Sequence, residues 1–313
     1  MGREWQIGDP VDGTTDGWMD AQNWDHGNDD DEDEPQATSR DLKNKKANEY
    51  SNKAWTLYME FKDAEALNYI DLALNLDNNN PEIWNKKAII LESLKRYEES
   101  EFCYNKSLKI SPGNIVYDNK ARMLYCWTTE LIEYSKKLSD GTVKLIEAES
   151  KAKSAINAIN DNSKEDLEKY LQLMDQVKFY QKYENNYQKK LETIKQYPKN
   201  ELFTITGTKF YKKTVNLTQN LPLKLVKEKN NEKDRDAIAV YVQNEKIGYV
   251  ANSGYTHFDM TSLASELQSE IEDTAQGEYL FYLDRYAKIQ FHIGRIIRDW
   301  EIKSLLIDYN KQI

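Results

Sequence analysis

Between residues 209 and 229 the chain carries six lysines, Lys209, Lys212, Lys213, Lys224, Lys227 and Lys229, against a single acid. Phe210 and Tyr211 follow Lys209 directly. Ammonium groups interleaved with flat rings suit a single strand of nucleic acid, because lysines neutralise phosphates while rings stack on bases. The same pattern also serves an edge strand that uses lysine against aggregation, so the residues alone leave both readings open. Asp234 stands where a turn or cap carboxylate would precede a strand starting at Ala237.

No comparable pattern points to catalysis. The chain has no G-x-x-x-x-G-K-[ST], no G-x-G-x-x-G, no H-E-x-x-H and no C-x-x-C. With three histidines, His26, His257 and His292, and two separated cysteines, Cys103 and Cys126, no metal site is expected. His292 is expected on the solvated face of a strand, and both thiols as core filler in a reducing compartment. The expectation is therefore a non-enzymatic protein with no cofactor, in the cytoplasm. No apolar run approaches the ~20 residues of a membrane span, and the start MGREWQIGDP lacks a secretory pattern.

The formal net charge of −10 is confined to residues 1–40, which hold twelve acids against Arg3 and Arg40. Of the chain's 43 basic and 53 acidic residues, 41 of each remain in 41–313, so whole-chain charge says little about what the body binds. The acidic segment is expected to be disordered, with Trp5, Trp18 and Trp24 either solubilising bystanders or anchors of a docking peptide. An intramolecular contact of this tail with the lysine-rich stretch is a further expectation.

The elements that position these groups differ between the two halves. From about 45 to 112 the sequence repeats at a spacing of 34, which sets Tyr50 on Trp84, Ala54 on Ala88, Ala66 on Ser100 and Ala73 on Ser107. Small residues at matched places let paired helices approach. This resembles the tetratricopeptide repeat, best in Trp84, Ala88, Tyr97, Ser100, Tyr104, Ser107 and Pro112. Two repeats are complete, and a third starts at Asn119-Lys120 but meets Tyr134 where a small residue belongs. Helical patterns through residue 194 are expected to cap the stack. The resemblance implies a concave groove lined by Trp55, Tyr58, Ile89, Met123 and Trp127, suited to an apolar peptide of an unidentified protein partner.

After Tyr197-Pro198-Lys199-Asn200 the period changes to two. Strands are predicted at 202–206, 221–226, 237–242, 246–250 and 287–297, with a helix near 261–271. Ile289, Phe291 and Ile293 read as inward-facing, against Lys288, Gln290 and His292 outward. The organisation is thus a tail (1–40), a helical repeat domain (41–198) and a β domain (201–313). Gly207-x-Lys209-Phe210-Tyr211, the strand Leu223-x-Leu225, then Asn230-Asn231-x-x-Asp234-x-Asp236-Ala237-Ile238 and Ile247-Gly248-Tyr249-Val250 resemble a HIRAN domain. That resemblance implies a small OB-like β-barrel that binds single-stranded DNA and favours 3′ ends. It places Asp234 as acceptor for a terminal 3′-hydroxyl, Phe210 and Lys209 as platform and basic neighbour with Tyr211 beside them, and Asn231 at the turn. Glu232-Lys233 stands where the family often has Pro-Tyr, and lysine replaces arginine at 209.

The combined expectation is an adaptor that holds a protein through its repeats and single-stranded DNA or DNA 3′ ends through its barrel. The alternative is a protein-interaction scaffold whose barrel binds no nucleic acid.

Overall fold

The computed structural model of the chain describes residues 38–159, 164–211, 215–287, 289–298 and 301. Expectations placed on residues 1–37, on Lys212 and Lys213, and on Lys288 lie outside the described residues. Contacts divide the chain into two units, 1–42 and 43–313. In the first, Thr38 opens helix α1 (Ser39–Met59) by a reciprocal cap. Its backbone N–H donates to the Asp41 carboxylate at 3.0 Å, and the Asp41 N–H donates back to Thr38 Oγ1 at 3.2 Å.

In the second unit the repeat period becomes geometry. Helix α2 (Asp63–Leu76) and α4 (Tyr97–Ile110) begin 34 residues apart, and α1 and α3 (Pro81–Ser93) end 34 apart. The turns between paired helices match as well. Phe61 (φ 63°) and Lys95 (φ 58°) are both left-handed. In each turn the next amide, of Lys62 or Arg96, donates five residues back to Leu57 or Leu91 at 2.9 Å. Asn80 caps α3 by accepting from the Glu82 and Ile83 amides, and Pro81 takes the first helical position, where its missing N–H costs nothing.

The small residues do what the spacing predicts. Ala66, Ala73, Ser100 and Ser107 are fully buried, and the two hydroxyls cross to the facing helix, Ser100 to the Ala88 carbonyl (2.8 Å) and Ser107 to that of Pro81 (2.7 Å). The third hairpin departs from the pattern where Tyr134 announced it. Helix α5 (Asn114–Ser135) runs on for 22 residues without the turn, leaving Tyr134 half exposed near its end. Its partner α6 (Thr142–Ala158) buries an alanine face, Ala148, Ala152 and Ala155, against it. The 31-residue α7 (Lys164–Ile194) then packs on α6 and α5, with Tyr170 edge-on to Tyr125 at 5.3 Å. No described helix is long and apolar enough to cross a membrane.

The barrel follows. Strands β1 (Leu202–Thr206), β2 (Leu221–Lys227), β3 (Ile238–Val242), β4 (Glu245–Val250), β5 (Thr274–Arg285) and β6 (Ile289–Ile296) close in the order β1-β4-β3-β2-β5-β6, every pair antiparallel. Closure leaves no free edge, so lysines are not needed there as edge guards. Two short helices, α8 (Thr208–Tyr211) and α9 (Ala264–Leu267), sit in the connections. Two apolar cores result. Phe203, Ile205, Leu223, Leu225, Val240 and Ile296 fill the lumen, with Ala264 and Leu267 of α9. On the outside Leu202, Leu280, Leu283 and Ile293 meet Tyr187 and Ile194 of α7.

Two expectations are corrected. The longest strand, β5, was not foreseen, because the register shifts between Tyr279 and Phe281 and buries consecutive residues Tyr279 and Leu280. The period of two is thereby broken. On β6 Ile289, Phe291 and Ile293 do face an apolar core and Gln290 is exposed, but that core lies outside the barrel, and His292 departs from the expectation. Ile293 faces the outer core, while Gly294 faces the lumen, where an added Cβ would come within 2.6 Å of the Phe203 ring. His292 shares the Gly294 side; it is half-buried, and its Nδ1 lies 2.9 Å from the Tyr279 hydroxyl instead of meeting water on a solvated face.

Candidate nucleic-acid interface

At the end of β1 the chain turns through Gly207, whose φ of 76° suits glycine, and enters α8. The three residues singled out there are exposed, and Phe210 has 89% of its surface in solvent. A solvent-facing phenyl next to an exposed lysine offers a face on which a base can stack and a cation that can meet a phosphate. Tyr211 is anchored from one side, its ring edge-on to Tyr249 of β4 at 5.7 Å.

From Tyr249 a continuous network leads to the turn between β2 and β3. The Lys246 ammonium lies 5.6, 5.9 and 4.7 Å from the ring centres of Tyr211, Tyr241 and Tyr249. It donates to Glu228 Oε1 at 2.5 Å and to the Tyr249 hydroxyl at 2.9 Å. Glu228 Oε2 accepts from the Tyr249 hydroxyl and from Asn231 Nδ2, each at 3.0 Å. Partial burial pushes the Glu228 carboxyl up, but the hydrogen bonds from Lys246, Asn231 and Tyr249 outweigh it and leave it below the usual carboxylate range. The Lys246 ammonium is correspondingly held charged, its partners Glu228 and Tyr249 overcoming desolvation.

Asn231 does shape the turn. Its Oδ1 accepts from the Lys233 and Asp234 amides at 3.0 and 3.2 Å. Asp234 is a turn carboxylate, its Oδ1 accepting from the Asp236 amide at 3.0 Å. Asn252, just past β4, donates Nδ2 to both Asp234 oxygens at 3.0 and 3.1 Å, and its own Oδ1 accepts from the Ser265 amide of α9. With two bonds on Oδ1 and one on Oδ2, the carboxylate retains an acceptor position on Oδ2. A shallow cleft of ≈ 510 Å³ runs beside this turn, between 227–231 and the start of β5 at Asp273 and Thr274.

The structure thus links Tyr211, Asn231 and Asp234 through residues the sequence reading did not select: Lys246, Tyr249, Glu228 and Asn252. Glu228 was visible as the one acid among six lysines; for Asn252 the sequence holds no signal. The local positive charge is also smaller than the composition implied. Lys229 pairs with Asp273 at 2.7 Å, which offsets one charge, while Lys227 donates to the neutral Gln268 carbonyl and keeps its own, and Lys209 and Lys224 are exposed without an acidic partner among the described residues.

The expected apolar groove on the hairpins is not open. Met123 is fully enclosed, and Tyr58, Ile89 and Trp127 are buried, leaving Trp55 half-buried. Trp127 stacks on Tyr97 at 5.7 Å, with the Lys151 ammonium of α6 at 3.8 Å from its ring. Tyr58, Ile89, Met123 and Trp127 belong to the core of the stack, with Trp55 packed against it, and α6 covers the Trp127 end.

Two family profiles match segments of the chain. The HIRAN domain profile matches residues 202–254, which spans β1 to β4 and the segment carrying Asn252, and the tetratricopeptide repeat profile matches 81–114, the hairpin α3–α4. No curated protein matches the chain. Among solved structures, the type III secretion translocator chaperone SycD of Yersinia enterocolitica is similar at 16% identity and a TM-score of 0.31, over 45% of this chain and 86% of that one.

Proposed function

We propose that this chain, which carries a tetratricopeptide repeat and a C-terminal HIRAN domain, is a non-enzymatic adaptor that holds a protein partner through its helical hairpins and a single strand of DNA, at or near its 3′ end, through its barrel. The observation that carries the reading is the Phe210 ring, 89% exposed beside Lys209 on α8 and joined through Tyr211 to a network that ends at Asp234. Bases would stack on Phe210 and Tyr211, Lys209 would meet phosphate, and the remaining acceptor of Asp234 would take a terminal 3′-hydroxyl. An internal phosphodiester at that carboxylate would be repelled, which is the basis of an end preference.

One observation favours the scaffold alternative. Asn252 and Glu228 already satisfy much of the polar surface that a strand would use, so the barrel is self-sufficient without a ligand. The two readings separate by fluorescence anisotropy of the full chain with labelled single strands ending in 3′-hydroxyl or 3′-phosphate at low salt. The adaptor reading expects tighter binding of the hydroxyl end and loss of that preference in Asp234→Ala. Absence of binding to either strand leaves the scaffold.

A further inference from the structure

The carboxylate of Glu228 occupies a seat made by three donors from two segments. Lys246 and Tyr249 come from β4, and Asn231 from the turn between β2 and β3. A phosphodiester presents two anionic oxygens to the same kinds of donor, an ammonium, a phenol and an amide. We propose that this seat is a phosphate site for the bound strand, that Lys246 is the contacting cation, and that Glu228 is an internal competitor which the phosphate displaces. The inference rests on the nucleic-acid reading above and names where one phosphate of that ligand sits.

Three features favour exchange over a purely structural pair. Lys246 and Glu228 keep 23% and 25% of their side chains in solvent, so a phosphate reaches the ammonium without opening the core. Glu228 sits at the protein surface and not in the core, so its carboxylate can swing out to water while a phosphate oxygen takes over its three donors. The seat also adjoins the stacking surface, since the same ammonium lies over the ring of Tyr211, the neighbour of Phe210. A strand stacked on those rings would carry its backbone past Lys246. While Glu228 holds it, Lys246 adds no net charge toward an incoming strand, and binding is weaker and less salt-dependent than the lysine content suggests.

The test is a salt titration of affinity, by fluorescence anisotropy, of the full chain for fluorescein-labelled oligothymidylate with a 3′-hydroxyl. Glu228→Gln, Lys246→Met and the double variant are compared with wild type, and thermal unfolding is recorded for each. In Glu228→Gln the ammonium loses its competitor, so binding should tighten by roughly three- to tenfold at low salt, with a log–log salt slope steeper by about 0.7, one phosphate contact on a single strand. Lys246→Met should weaken binding and flatten the slope by the same amount, and the double variant should behave as Lys246→Met. If natively folded Glu228→Gln matches wild type in affinity and slope while Phe210→Ala still weakens binding, the barrel binds a strand but this seat does not hold its phosphate. If neither wild type nor Glu228→Gln binds, the nucleic-acid reading and the competitor fall together. Should Glu228→Gln not unfold cooperatively, Lys246→Met decides, and unchanged affinity and slope there overturn the proposal.

Discussion

Arg285, in the turn end of β5, and Glu184, in the middle of α7, are 101 residues apart in sequence and form a two-bonded ion pair, Nε to Oε2 at 3.1 Å and Nη2 to Oε1 at 2.8 Å. Glu184 has no exposed side-chain surface. Its oxygens also accept from the Tyr286 hydroxyl, from Gln188 and from the Gly141 amide in the α5–α6 connection. One carboxylate therefore ties two helical segments to the barrel, and all its partners are donors, the condition under which a buried charge is tolerated.

Removing either partner strands the other charge. Arg285→Ala or Glu184→Gln should destabilise the fold by about 3–5 kcal/mol, measured by denaturant unfolding. Equal midpoints in wild type and variants would show that the pair is idle.

The same pair gives a pH dependence. Burial pushes the Glu184 carboxyl up, but its bonds to Arg285, Gln188, Gly141 and Tyr286 outweigh this and set it below the ordinary glutamate value. A carboxyl depressed in the folded state contributes stability above its unfolded pKa of about 4.3 and loses it as pH falls through the folded value. Stability of the wild type should decline below about pH 4.5, and Glu184→Gln should show a shallower decline. A steeper decline in the variant would reverse the sign of the argument.

Around the ion pair, Tyr187 and Ile194 of α7 bury Leu202, Leu280, Leu283 and Ile293 on the outside of the barrel. Each such side chain left exposed forfeits about 1.5–3 kcal/mol, and a small domain has only about 5–15 in total. A fragment of residues 201–313 should melt far below one of residues 164–313, or aggregate. Matching melting temperatures would show that the barrel stands without α7.

Lys95 holds a left-handed backbone at the α3–α4 turn, a conformation that costs a residue with a Cβ about 1–2 kcal/mol. Its ion pair with Glu130 is exposed and adds little. Lys95→Gly should raise stability by about 0.5–1 kcal/mol in denaturant unfolding, once glycine's greater chain entropy is set against the relieved strain. A loss of stability would mean that the Lys95 side chain matters more than its backbone.

What the sequence disclosed divides along physical lines. Repeat spacing and small residues act locally, so Ala66, Ala73, Ser100 and Ser107 announced the hairpins. Period-two runs announced β1 to β4 and β6, whereas the shift beside Leu280 concealed β5. Periodicity marks an apolar face without saying what covers it. Ile289, Phe291 and Ile293 read as inward-facing, and the core they face is the one under α7; Ile89 and Met123 read as groove although they are interior. In the candidate site, Lys209, Phe210 and Asp234 stood out by composition and order. The Asn252–Asp234 contact follows from the β3–β4 register, in which Ala239 lies opposite Tyr249 and the residues just past β4 come beside the turn before β3; nothing in the residues around Asn252 itself signals it.

The central claim is that the exposed ring on α8 is a stacking platform for a single strand. Its most direct measurement is the affinity of the full chain for a labelled single strand and for a blunt duplex of the same length, in wild type and Phe210→Ala. The account predicts preference for the single strand and a loss of about 1–3 kcal/mol, roughly five- to 150-fold, in the variant with native unfolding retained. Equal affinity of wild type and Phe210→Ala for the strand would contradict it.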